Sequence, residues 1–150
     1  MIYLIDTNVL LRTVEPSHPS HADAMRALAT LTQQGESLFI APQNITEFWA
    51  VATRPVSGRG LGFTPKRTQQ EVEFIESRYT LLPETPAIYP EWRRLVQTYG
   101  VSGLQVHDTR LVAAMRVHGV THLLTFNGAD FQRFAPEGVA VIEPSTVATS

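Results

Sequence analysis

Short apolar runs alternate along the chain with stretches of helical period. Ile2-Tyr3-Leu4-Ile5 is a run of strand formers without alternation, which predicts a strand buried on both faces, as in a parallel sheet. Asp6-Thr7-Asn8 follows at once, and then Val9-Leu10-Leu11; in the plainer reading Asp6 or Asn8 caps a helix starting near Val9. Pro16 to Pro19 marks a turn. Ala22 to Leu31 carries Ala22, Met25, Leu28, Ala29 and Leu31 at helical spacing, and Gln33-Gln34-Gly35 ends that helix. Leu38 to Ala41 predicts a second strand, and Pro42 starts a turn. A helix is predicted over Asn44 to Thr53, with Ile45, Phe48, Trp49 and Ala52 on one face and Arg54-Pro55 as its stop.

Thr64-Pro65 supplies a capping residue and a first-turn proline for a helix reaching about Arg78. Thr80 to Leu82 predicts a brief third strand. Thr85-Pro86 repeats the same start, for a helix with Ile88, Trp92, Leu95 and Val96 inward and Gly100 at its end. Pro90 sits early enough in it to be tolerated or to mark its true start. Val101 to Val106 is a loop. His107 to His118 is predicted helical, with Gly119 as its C-cap. His122 to Phe126 is a fourth strand, Asn127 to Phe131 a turn into a short helix, and Val139 to Ile142 a last strand. The tail after Pro144 is expected to fray.

Strands alternating with helices define an α/β class with a mainly parallel sheet and right-handed crossovers. A length of 150 residues predicts one domain, 1–150. The chain has no cysteine, which excludes disulfides, thiolate metal sites and cysteine nucleophiles, and fits a reducing, cytoplasmic setting. No positively charged stretch precedes the first apolar run, and no apolar run approaches the roughly 18 residues of a membrane span. Neither a signal peptide nor a membrane partner is expected. A net charge of −2 excludes attachment to nucleic acid by bulk positive charge. Of the 12 basic residues only Lys66 is not Arg, and Arg makes forked contacts to phosphate.

The chain has only four Asp, at positions 6, 23, 108 and 130, so the place of each is informative. In a parallel sheet, Asp6 ends the first strand. Glu47 is predicted in the first turn of the helix after the second strand, and Asp108 in the first turn of the helix leading to the fourth. Asn127 and Asp130 follow the fourth strand. Residues scattered along the chain thus reach one sheet edge, where open α/β sheets bind ligands. Each has a plainer alternative. Asp6 or Asn8 caps a helix, Glu47 closes a capping box with Asn44, Asp108 favours the positive end of its helix, and Asp130 caps the next. Jointly these explain less, because Asp108 shares a helix stripe with Leu111, Val112 and Met115 and so turns toward the core.

Two like charges about 4 Å apart cost roughly 4 kcal/mol at an effective dielectric near 20, so such a cluster needs shared protons or cations. Oxygen donors without cysteine point to Mg²⁺ or Mn²⁺. An ion held by carboxylates is the usual apparatus for phosphodiester hydrolysis. Gly58, Gly60 and Gly62 lie between Val56 and Phe63. Their spacing is not that of a dinucleotide loop, and the segment follows a helix rather than a strand. It is expected to be a mobile connection, with Arg54 and Arg59 as candidate phosphate contacts. His107 adjoins Asp108 but points about 100° away on the helix, so no catalytic role is expected for it. The other four histidines have no defensible metal spacing.

Asp6-Thr7-Asn8-Val9-Leu10, Thr46-Glu47-Phe48, His107-Asp108-Thr109-Arg110-Leu111, and Leu124 to Asn127 with Asp130-Phe131 together resemble the PIN-domain nucleases. The similarity is greatest to the VapC toxins of VapBC toxin–antitoxin pairs, and it covers nearly the whole chain in order. The resemblance implies a three-layer α/β/α sandwich with about four to five strands. It implies an Mg²⁺- or Mn²⁺-dependent endoribonuclease, commonly homodimeric, that a VapB-like antitoxin binds and blocks. By residue it assigns Asp6, Glu47 and Asp108 as core acids, with either Asn127 or Asp130 in the fourth position. Thr7 and Thr125 orient phosphate or a metal water, and Asn8 holds the Asp6 turn. A non-cleaving PIN-fold module that binds RNA or a partner is the alternative, kept open by the uncharged Asn127. A haloacid-dehalogenase-like phosphatase requires a second Asp where Asn8 stands.

Overall fold

The computed structural model describes residues 1–149. Five strands among them form one sheet: β1 (Ile2–Ile5), β2 (Ser37–Ile40), β3 (Thr80–Leu81), β4 (His122–Leu124) and β5 (Ala140–Ile142). Their order is β3-β2-β1-β4-β5, and every pairing is parallel. The helices are α1 (Thr7–Thr13), α2 (His21–Gln33), α3 (Pro42–Thr53), α4 (Pro65–Arg78), α5 (Ile88–Tyr99) and α6 (Gln105–His118).

The sheet is covered on both sides, as the unbroken apolar run of β1 requires. Tyr3 and Ile5 pack with Leu10 of α1, Leu28 of α2, Phe48 of α3 and Ile75 of α4. Leu4, between them, faces the other way, toward Leu95 of α5, Val112 and Met115 of α6, and Phe131 and Phe134. Successive strand residues point to opposite faces, so one tetrapeptide anchors both halves of the core. The result is the expected three-layer α/β/α sandwich.

The chain moves outward from β1 through β2 to β3 with α1 to α4 on one face. It then returns to place β4 beside β1 and moves out to β5, with α5 and α6 on the other face. The direction of winding reverses between β1 and β4. In open α/β sheets, the carboxyl ends of the two strands at such a reversal flank a ligand-binding crevice. Asp6 follows β1 there, and its backbone N–H donates to the Leu124 carbonyl of β4 at 2.9 Å.

Several boundaries differ from the sequence expectations, each for a local reason. Helix α3 begins at Pro42, two residues before the predicted start. Proline is well placed at a first helical position, where the N–H it lacks would have had no intrahelical partner. Glu47 is therefore the sixth residue of α3, in its second turn rather than its first. Helix α5 begins at Ile88 rather than at Thr85-Pro86. A start at Pro86 would leave Pro90 unable to bond back to it, whereas a start at Ile88 puts Pro90 third, where no such bond is due.

The short helix expected after Phe131 is instead a pair of 3₁₀ segments, Gly128–Asp130 and Gln132–Glu137. Pro136 removes the donor that a regular turn would need there. The glycine-rich segment is not a loose connection. Gly58 and Gly60 donate to the Pro55 carbonyl at 2.8 and 2.9 Å, Gly62 to Arg54 at 2.9 Å, and Phe63 to Ala52 at 2.8 Å. A Cβ at Gly60 would lie 2.1 Å from the Arg54 carbonyl oxygen, so that close approach demands glycine. The tail also departs from expectation. Pro144–Thr146 forms a 3₁₀ turn, Val147 is buried in the core, and Arg26 of α2 donates to the carbonyls of Pro144 and Val147.

Candidate active site

Asp6 is the N-cap of α1 and is buried, with 6% of its surface exposed. Its Oδ1 accepts from the Thr7 backbone N–H at 2.7 Å, and its Oδ2 accepts from the Thr125 hydroxyl at 2.8 Å. The capping alternative weighed for Asp6 is thus realised, but by only one of its two oxygens. Burial nevertheless pushes its carboxyl up from 3.8 to about 6. The bonds from Thr125 and Thr7 pull against that shift, and the charges of Glu47 and Asp130 add to it.

Thr125, fully buried just beyond β4, is a junction. Its oxygen receives the Asn8 side-chain amide at 3.2 Å and the Asn127 backbone N–H at 3.0 Å. With its lone pairs engaged, its hydroxyl proton is directed to Asp6. Asn8 closes the circuit, because its Oδ1 accepts from the Phe126 backbone N–H at 3.2 Å. Asn8 therefore holds the Asp6 turn against the end of β4.

Glu47 enters from α3. Its Oε1 accepts from the Thr7 hydroxyl at 3.1 Å, and Thr7 in turn accepts from Asn44 Nδ2 at 3.1 Å. Burial raises the Glu47 carboxyl, while hydrogen bonds from Thr7 and Gln43 and the nearby His107 oppose the rise. Asp108 is half-buried in the first turn of α6 and is pushed up from 3.8 to about 7. Burial is the main cause, followed by the charges of Asp6, Asp130 and Glu47. Asp130 ends the 3₁₀ turn after β4 and does not cap the next segment. Asn127 is exposed, and only its backbone is tied to this network.

The structure thus brings Asp6, Glu47, Asp108 and Asp130 to one edge of the sheet, near enough to feel one another's charge, with Thr7, Asn8 and Thr125 bonded among them. Among the described residues, however, no three His, Asp or Glu side chains are gathered closely enough to hold one ion together. The acids feel one another's charge but are not drawn into a common cage, as expected of like charges. Arg54 and Arg59 are not part of this cluster. Arg54 closes α3 seven residues beyond Glu47, about 10 Å farther along at 1.5 Å per residue. Arg59 lies in the compact turn after it, with φ 64°.

Two residues that bear on the site are absent from the sequence-derived set as site residues. Asn44 enters the sequence analysis only as a capping partner for Glu47. It is fully buried and caps Ala41 instead, its Oδ1 accepting from the Ala41 N–H at 2.8 Å. Gln43 is wholly unanticipated, and its Nε2 donates to the His107 carbonyl at 2.7 Å. A signal for Asn44 was present in the chain. Asn44, Phe48 and Ala52 are spaced four apart, so an amide occupies the apolar stripe of α3.

A parallel sheet covered on both faces, with acids from four segments meeting at its switch point, defines an α/β protein with an acidic sheet edge. The PIN domain family model matches residues 3–136, and the chain belongs to that family. Solved structures agree on the fold. VapBC2 from Rickettsia felis bound to a promoter DNA fragment superposes with a TM-score of 0.70 at 16% identity, covering 95% of this chain and 98% of that one. VapBC-1 from nontypeable Haemophilus influenzae gives 0.69 at 16% identity, covering 97% and 100%. VapC20 from Mycobacterium tuberculosis, a toxin that cleaves the sarcin–ricin loop, gives 0.61 at 16% identity, covering 92% and 96%. No curated protein sequence matches the chain. Among the described residues, no helix is long and apolar enough to cross a membrane.

Proposed function

We propose that the protein is a metal-dependent endoribonuclease and the toxin of a toxin–antitoxin pair. One observation carries this reading: buried and half-buried acids from four separate segments meet at the β1/β4 switch point with no Arg or Lys paired to them, and two are pushed well above the usual carboxylate range. Such an arrangement is unfavourable unless a cation offsets it. The donor chemistry fits Mg²⁺ or Mn²⁺, since it is all oxygen. Gln43 Oε1, a buried oxygen beside these acids, has no hydrogen-bond partner within the protein and adds one more free acceptor. Asp6, Glu47 and Asp108, which in this structure do not converge on one point, would each offer a carboxylate oxygen to the ion and water would complete its shell, with Asp130 and Asn127 flanking it.

When bound, the ion makes hydroxide available near neutral pH and offsets charge on the scissile phosphate. The rest falls to the chain. Thr125 and the Thr7 N–H hold Asp6 so that one face of its carboxylate is fixed. The Thr7 hydroxyl, accepting from Asn44, directs its proton to Glu47. His107 lies close enough to oppose the rise at Glu47, and no catalytic step is assigned to it.

Arg54 and Arg59, remote from the acids, would contact RNA phosphates away from the cut. The antitoxin partner is supported by the VapBC complexes that share the fold and by an apolar groove of about 170 Å³ between α1, α2 and α4. Met25 and Phe74 there are 48% and 59% exposed, apolar surface that such a partner would cover. A homodimer and a cytoplasmic setting complete the proposal.

The test is cleavage of a pool of structured RNAs with Mg²⁺, Mn²⁺ or EDTA, beside Asp6→Asn and Asp108→Asn. Metal-dependent cleavage lost in both variants is expected. A second reading, a non-cleaving RNA- or partner-binding module, draws on the ungathered acids and the uncharged Asn127. Retained RNA binding with neither cleavage nor carboxylate-dependent Mn²⁺ binding would favour it.

A further inference from the structure

The first turn of α3 carries two adjacent side-chain amides, each tied to a different acid-bearing segment. Asn44 Nδ2 donates to Thr7 Oγ1 at 3.1 Å, and that hydroxyl donates to Glu47 at 3.1 Å. Thr7 follows Asp6 directly, so Asn44 connects Glu47 to the Asp6 turn. Gln43 Nε2 donates to the carbonyl of His107 at 2.7 Å, the residue before Asp108. Gln43 thus ties the first turn of α3, one turn before Glu47, to the start of α6. Capping α3 uses only Asn44 Oδ1, which accepts from Ala41. Burying the amide nitrogen against Thr7, wholly out of solvent, goes beyond what a cap requires.

We propose that Asn44 and Gln43 are positioning residues. Asn44 acts through the Thr7 hydroxyl to set the Glu47 carboxylate against Asp6, and Gln43 holds the same helix turn against Asp108. The proposal rests on the metal-dependent nuclease reading. The amides touch neither the ion nor the RNA in this assignment, and they act by fixing which way Glu47 points. Groups that orient metal-binding side chains in this way are typically worth about 10–100-fold in metal affinity or activity.

The experiment measures Mn²⁺ affinity of the intact chain by calorimetry, kcat and KM on a cleaved RNA, and thermal unfolding. The variants are Asn44→Ala, Gln43→Ala, Thr7→Val and the Asn44→Ala/Thr7→Val pair, with Asp108→Asn as reference. Asn44→Ala and Gln43→Ala are each expected to lower Mn²⁺ affinity or kcat by about 10-fold or more, with KM for RNA within about 2-fold. The double variant is expected to be no worse than the poorer of its two single variants, because both remove one relay.

Multiplying effects in the double variant would overturn the relay, and near-native affinity and kcat in Asn44→Ala would overturn the role. If Asn44→Ala does not fold, Gln43→Ala, at a half-buried position, decides alone. Loss of cleavage in Asp108→Asn with both amide variants unaffected would overturn this proposal and leave the nuclease reading standing. If the wild type binds Mn²⁺ but cuts no RNA in the pool, the affinity series decides. No Mn²⁺ binding at all would sink the nuclease reading and this proposal with it.

Discussion

Glu91 and Glu137 lie between Arg94 and Arg116 where α5, α6 and the Gln132–Glu137 segment meet, whereas Asp6, Glu47, Asp108 and Asp130 lie near one another beyond β1 and β4 with no Arg or Lys paired to them. In the first cluster, Arg94 meets Glu91 at 2.6 Å and also bonds Glu137, and Arg116 meets Glu91 at 2.8 Å. Both glutamates are held below the usual range, chiefly by the Arg94 guanidinium. In the second, burial comes first among the causes and raises Asp6, Glu47 and Asp108. One cluster satisfies itself with its own guanidinium groups, although its glutamate side chains are only 22% and 12% exposed. The other is withdrawn from solvent and left short of positive charge. Only the second calls for something from outside the chain, and only the second sits at the switch point of the sheet.

The largest expected effect tests that contrast through chemistry. Asp6→Asn and Asp108→Asn remove charge where the proposed ion needs it, and a bound ion is worth several kcal/mol of transition-state stabilisation. RNA cleavage is expected to fall by at least about 100-fold in each variant, since every 1.4 kcal/mol is tenfold in rate. Arg94→Ala, in the other cluster, is expected to leave cleavage within about 2-fold of wild type, as a purely surface role requires. A comparable loss from Arg94→Ala would mean that the two clusters are not independent.

Next comes stability against pH without metal. The folded state raises the Asp6 carboxyl from 3.8 to about 6, so folding favours its protonated form. That contribution is fully present below about pH 4 and is lost as pH rises through about 6. Asp108 behaves alike, through about 7. For Asp6 alone the loss is about 3 kcal/mol. The apo protein is therefore expected to melt several degrees lower at pH 8 than at pH 5. Asp6→Asn should flatten that slope, and Mn²⁺ should restore the melting temperature at pH 8. Thermal scans across pH check it, and an apo protein most stable at pH 8 would contradict the assigned shifts.

The parts of this molecule that were legible in sequence are those that repeat a period or carry an uncommon residue. Ile2–Ile5 announced a strand buried on both faces, and three of the four Asp marked one sheet edge before any pairing was known. What escaped depended on contacts between distant segments. Pro42 looked like a turn because its fitness for a first helical position shows only once the helix exists. The segment after Arg54 looked loose because its donors return to carbonyls of α3 and of Arg54-Pro55, and composition does not encode a return path. Asn44 could be suspected from its place in an apolar stripe, but its partner Thr7 lies 37 residues earlier. In sequence the tail reads as free to fray because Arg26, which holds it, lies 121 residues from Val147.

A smaller effect refines the comparison within the acidic cluster itself. Thr125→Val keeps shape and burial but removes the hydroxyl that donates to Asp6 and receives Asn8 and Asn127. Leaving such buried partners unpaired costs about 1–3 kcal/mol. The cost should depend on pH. Once Asp6 is ionised, above about 6, it loses a donor to a charge. Below that pH the protonated carboxyl gives up only a neutral bond, which is worth less. Denaturant melts of wild type and Thr125→Val at pH 5 and pH 8 should therefore show a larger gap at pH 8. Arg94→Ala, whose guanidinium stays charged throughout and whose carboxylate partners titrate below the usual range, should cost no more than about 1 kcal/mol at either pH. Equal gaps for Thr125→Val at the two pH values would mean that its hydroxyl serves packing rather than the charge on Asp6.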